Sequence, residues 1–126
     1  MSYYVFSLNW RRIKMTETIE IRTLLMSLGI GPKYRGFQYT IYAVTLTLED
    51  EERLFSVTRS LYGDVAAHFS TTWNCVERNI RTVIAVCWKN NREKLEEIAG
   101  YHMTKQPTPA DFISILYNHL YRKISA

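Results

Sequence analysis

Asn74, Glu77, Arg78 and Arg81 stand three or four residues apart, the spacing that gathers side chains onto one face of a helix. Together these residue types suit the reading of base edges. An arginine guanidinium can donate two hydrogen bonds to guanine O6 and N7, and a glutamate can accept one from a cytosine amino group. Thr71 and Thr72 precede them, with hydroxyls and helix-start N–H groups of the kind that hold a phosphate. Glu77 and Arg81 are equally spaced for a surface i,i+4 ion pair worth a few tenths of a kcal/mol. Spacing alone leaves both readings open.

The elements that must position these groups lie between Leu61 and Trp88. Leu61, Val65, Ala66 and Phe69 share one face of a first short helix, and Ser70-Thr71-Thr72 is a polar turn with a helix cap. Trp73, Val76, Ile80, Val83, Ile84 and Cys87 then form an apolar stripe on a longer helix, with Trp73 and Trp88 expected as core anchors. A short helix, a tight turn and a longer helix exposing arginine and amide groups make the helix-turn-helix layout that reads a DNA major groove, with the segment from about Thr72 to Trp88 as the reading helix.

The flanks read as supporting helices. Ile21, Leu24, Leu25 and Leu28 predict a helix closed by Gly29, and Phe37, Ile41, Val44 and Leu48 predict a second. The acidic run Glu49 to Glu52 suits the first turn of a third helix carrying Leu54, Val57 and Leu61. Asn90-Asn91 breaks the long helix, and Gly100 ends a short amphipathic piece after it. Thr108-Pro109-Ala110-Asp111 is a helix start, followed by Phe112, Leu116 and Leu120 on the buried side and Tyr117, Tyr121 and Ile124 exposed. The expected fold is all-α: one compact bundle of six to seven helices over residues 15–126. Residues 1–14 are expected to be a stub, disordered or derived from an upstream start, with Met15 as the alternative start.

Composition narrows the function. A chain of 126 residues with 47% hydrophobic and 22% charged residues can build one real core, and a net charge of +4 permits an anionic partner. No apolar run approaches the roughly 20 residues that span a bilayer, and no secretory signal is present, so a cytoplasmic protein without membrane contact is expected. His68, His102 and His119 are scattered, and Cys75 and Cys87 lack metal-ligand spacing, so no metal site is expected. No phosphate-binding glycine loop or nucleophile elbow occurs, and no histidine stands near Cys75 in sequence. Neither a cofactor nor an enzymatic activity is expected.

The residues also carry a resemblance to a known family. Arg35-Gly36-Phe37, Leu61-Tyr62-Gly63-Asp64-Val65-Ala66, Phe69, Thr71-Thr72, Val76-Glu77-Arg78, Ile80-Arg81, Trp88, Gly100-Tyr101, Pro107-Thr108 and Phe112-Ile113 resemble the C-terminal DNA-binding effector domain of the response regulator that initiates sporulation. The similarity runs from about Thr18 to about Arg122. It implies a six-helix fold that binds a promoter element, often in tandem copies, with possible contacts between copies through the last helix. On this resemblance the DNA-binding residues are Thr71, Thr72, Asn74, Cys75, Glu77, Arg78 and Arg81. Two positions depart from the family: Cys75 stands where arginine is usual and Gly63 where proline is usual. The family's receiver domain is not found in these residues, so phosphorylation control is not expected. The expected function is a sequence-specific transcriptional regulator of double-stranded DNA. The alternative is a protein-interaction module that keeps the bundle without DNA recognition.

Overall fold

The computed structural model describes the backbone of residues 2–125 and the side chains of residues 15–57 and 60–123. The stub expected at residues 1–14 and the exposed Ile124 lie outside the described side chains. Among the described residues the chain is all-α, with no strand. It runs α1 (Ser2–Ser27), α2 (Arg35–Glu49), α3 (Tyr62–His68), α4 (Trp73–Ala99) and α5 (Pro109–Ser125).

Helix ends follow the local chemistry read from the sequence. Gly29 and Gly100 adopt φ of 81° and 84° just past α1 and α4, a left-handed conformation that glycine takes without a Cβ penalty. Thr108 Oγ1 accepts from Asp111 N at 3.2 Å at the start of α5. Asn91 kinks α4 with φ −139°, and its side-chain amide donates to Leu28 O at 3.0 Å. The break expected at Asn90-Asn91 is therefore a kink tied to the end of α1, with the helix resuming beyond it.

α4 is the central element and packs against α2, α3 and α5. Its stripe of Val76, Ile80, Val83, Ile84 and Cys87 is buried against Phe37 and Val44 of α2, Val65 of α3, and Phe112 and Leu116 of α5 in one contiguous core. α1 adds Ile21 and Leu25 to the same core, and Leu28 just past its end joins them, all fully buried. Burial pushes the Cys87 thiol up to about 12, so it is an inert packing group.

Three expectations need correction. The third helix is not formed as one: Asp50 and Ser56 take extended φ of −152° and −142° and divide the segment. What results is a 3-10 turn over Glu51–Phe55 and a π turn over Val57–Leu61 leading into α3. Arg53 holds this irregular stretch together, donating to Ser60 O and Oγ and pairing with Asp64. Trp73 is 44% exposed and not a core anchor. The buried stripe starts at Val76, and the neighbouring Phe69 ring is engaged with Tyr39 and Tyr42. Trp88 does pack on the core, under the Arg92 guanidinium at 4.2 Å. Tyr117 is buried, not exposed, because its hydroxyl donates to Glu51 Oε2 at 2.8 Å across the fold. Tyr121 alone of the expected trio is exposed among the described residues.

Candidate nucleic-acid interface

The connection from α3 to α4 is the four-residue turn Phe69–Thr72. Ser70 turns the chain with φ 54°. Thr72 then caps α4: its backbone is extended, and its Oγ1 accepts from Cys75 N at 3.2 Å. Such a cap contributes about 1 kcal/mol and leaves the other first-turn N–H groups pointing outward. Because Val76 and Ile80 anchor α4 inward, residues on the opposite side of its first turns must face solvent. Asn74, Arg78 and Arg81 are exposed accordingly, and Glu77 is half-buried.

The expected site residues are thus brought together, in two different states of readiness. Arg78 has no ion-pair partner among the described residues, whereas Arg81 donates to Glu77 Oε1 at 2.8 Å. The i,i+4 pair read from spacing exists in the free molecule. Arg81 must leave it, or extend it, to contact another group.

Cys75 occupies a middle ground. It is half-buried, packs against the core, and lies 3.4 Å from Asn79 Nδ2. The Thr71 hydroxyl, the Tyr39 phenol and the guanidinium groups of Arg78 and Arg35 surround its thiol and hold it below the usual thiol range. Tyr39 moves the other way, its hydroxyl raised first by burial and then by the thiol.

Arg35 and Gln38 are neighbours the sequence reading did not place here. With Tyr39, Phe69, Ser70 and Thr71 they line a shallow open cleft of about 430 Å³ beside the turn. Arg35 is the first residue of α2, 36 positions before Thr71, and carries no local signal of its place next to α4. Gly36 makes the proximity possible. A Cβ there would lie 2.8 Å from the Asn79 carbonyl carbon, closer still to its oxygen, and 2.9 Å from Val83 Cγ1. Glycine therefore lets the start of α2 rest directly on the backbone of α4.

Residues 21–120 match the family described as sporulation initiation factor Spo0A C terminal. The chain belongs to this family. The Spo0A C-terminal domain is the DNA-binding effector domain of a response regulator of sporulation, and its family is one of transcription regulators, not of enzymes. The match spans all of α2, α3 and α4 and the turns between them, so the clustered face lies wholly within the Spo0A C-terminal domain. No helix among the described residues is long and apolar enough to cross a membrane. No cluster of metal-ligating side chains occurs among them either.

Proposed function

We propose that this Spo0A C-terminal domain is a sequence-specific double-stranded DNA-binding regulator. In this reading α3, the Phe69–Thr72 turn and α4 form a helix-turn-helix, and the first half of α4 enters the major groove. One observation carries the proposal. From a capped helix start, Asn74, Arg78 and Arg81 run along the side of α4 opposite its buried stripe. Thr71, Thr72 and the first N–H groups of α4 would hold a phosphate, and Arg35 would extend the positive rim to a neighbouring one. Arg78, Arg81 and Glu77 would face base edges. Cys75 is too short, and its thiol too weak a donor, to discriminate strongly at the base pair it faces. Neighbouring copies on tandem elements would touch through the last helix, where Tyr121 is exposed.

The test is selection of bound duplexes from a random pool, followed by affinity measured against salt concentration. A regulator neutralising four or five phosphates should give a log–log slope of about −4. The half-buried Cys75 and the self-paired Arg81 favour one other reading, a protein-interaction module on the same bundle. Enrichment of no duplex and a slope near zero would select that reading. Independent occupancy of two adjacent elements would remove the contact between copies.

A further inference from the structure

Two buried side-chain polar atoms among the described residues lack a hydrogen-bond partner: Thr40 Oγ1 and the Tyr62 hydroxyl. The first is a threonine inside α2, where Thr45 and Thr47 bond back to the carbonyls of Ile41 and Ala43 at 2.8 Å, and rotation offers Thr40 the same remedy. Tyr62 has no such remedy. Its ring is rigid, the residue is 1% exposed at the first position of α3, and its hydroxyl is carried far from any backbone group of its own turn. Leaving a buried hydroxyl without a partner is costly, so natural structures seldom do it without a reason.

The charged groups that act on this hydroxyl are Glu77 and Arg81, the pair on the proposed reading face. Burial depth orders the three. Tyr62 is enclosed, the Glu77 side chain is 29% exposed, and the Arg81 side chain is 56% exposed and bonded to Glu77 from outside. Burial, with Glu77 adding to it, raises the Tyr62 hydroxyl well above the usual phenol range. It therefore keeps its proton at any physiological pH and can only serve a carboxylate as donor.

We infer that Tyr62 is a positioning residue for Glu77: its hydroxyl donates to one carboxylate oxygen when Arg81 leaves Glu77 for DNA. The second oxygen is then held on the helix face, free to accept from a base. Glu77 thus exchanges an outer partner for an inner one and is not left as an unpaired half-buried charge. The inference rests on the proposed reading of α4 for its DNA step, but the exchange of partners itself can be tested without DNA.

The first experiment compares melting temperatures of the wild type, Tyr62→Phe, Arg81→Ala and the double variant. In the wild type the hydroxyl has no partner, so Tyr62→Phe should leave the melting temperature unchanged or raise it. With Arg81 removed, Glu77 turns to Tyr62, and the same change should lower it by about 3–5 °C. Equal effects in both backgrounds would overturn the inference, whatever the protein does with DNA. The second experiment uses a duplex enriched from the random pool. Tyr62→Phe should weaken binding about tenfold when Glu77 is present and have no effect in a Glu77→Gln background. An undiminished affinity, or a loss that persists in Glu77→Gln, would also overturn it. Failure of the wild type to bind any duplex would count against the proposed function and leave the first experiment to decide the partner exchange.

Discussion

Gly36→Ala is the most direct probe of how this fold sets the candidate face of α4. Alanine is the better helix former and would gain up to about 1 kcal/mol inside a helix. Packing opposes this. The new methyl would lie 2.8 Å from the Asn79 carbonyl carbon and 2.9 Å from Val83 Cγ1, where ordinary contacts begin near 3.4 Å. A valine methyl can be displaced, but the Asn79 carbonyl belongs to the backbone of α4 and cannot rotate away. α2 and α4 would have to separate by several tenths of an ångström or more. Overpacking of this kind costs about 1–3 kcal/mol, and a backbone obstacle belongs at the upper end of that range. After the propensity gain is subtracted, about 2 kcal/mol of destabilisation remains, or roughly a 5–10 °C fall in melting temperature for a domain of this size. Asn79 lies between Arg78 and Arg81, so the displacement should also reduce duplex affinity at temperatures where the variant is fully folded. Thermal and urea unfolding measure the first effect, and titration of a selected duplex well below the melting transition measures the second. A variant as stable as the wild type, or more so, would refute the argument that α2 and α4 touch backbone to backbone.

Gly29→Ala should cost about 1–2 kcal/mol from the left-handed backbone alone, and more because its Cβ would overlap the Asn91 amide; Asn91→Ala in the same chain should recover only the second part in urea unfolding. Arg81→Ala is expected to lose about 1–3 kcal/mol of binding at one G·C pair, and replacing that guanine by 7-deazaguanine should weaken the wild type but not the variant; a uniform loss on all duplexes would make Arg81 a phosphate contact instead. Cys75→Arg should raise affinity at one base pair with a small loss of stability, since a half-buried helix position lets a long stem run outward, although Arg35 and Arg78 nearby oppose the new charge; a lowered melting temperature with no gain in binding would refute this. His119 is held below the usual imidazole range by burial and then by Arg122, Lys123 and Lys94, so the folded state binds its proton less readily than the unfolded chain. Its stabilising contribution is therefore complete above about pH 6.5 and lost as pH falls below that, and His119→Gln should flatten urea-derived stability between pH 7 and 5.

The parts of the fold that were legible in the sequence are those decided within one or two helical turns. The α4 stripe from Val76 onward, the Thr108 cap and the closing glycines at 29 and 100 each follow from spacing or backbone freedom, and the structure has them where they were expected, Trp73 apart. The segment from Asp50 to Leu61 was not legible, because its acidic and apolar residues fit a helix equally well. Two non-helical residues, Asp50 and Ser56, and the reach of Arg53 to Ser60 and Asp64 decide it instead. Tyr117 misled for a related reason: its partner, Glu51, is 66 residues away. The candidate face divides the same way. The exposure of Asn74, Arg78 and Arg81 follows from the period of one helix. The approach of Arg35, the orphaned hydroxyl of Tyr62 and the half-burial of Cys75 arise where α2 and α3 meet α4, and no local pattern announces them.

Two arginines on one face need not act alike, and their different states suggest a division of labour. Arg78, with no ion-pair partner among the described residues, and Arg35, beside the turn, present charge that favours encounter with any polyanion at a rate that salt suppresses. Arg81 is withheld by Glu77. Opening that exposed pair costs only a few tenths of a kcal/mol, but the cost falls on every sequence the helix visits. It is offset where both released ends find partners at once. A G·C pair offers that combination in the major groove: acceptors on guanine for the guanidinium and an amino donor on cytosine for the carboxylate, side by side in one plane. An A·T pair also has one donor and two acceptors there, but its acceptors are split between adenine N7 and thymine O4 and cannot serve a single guanidinium fork. The self-paired Glu77 and Arg81 thus act as a stored copy of the hydrogen bonds they would make. On the proposed reading of α4, discrimination would come from what the wrong base pair fails to replace, more than from any attraction the free helix displays.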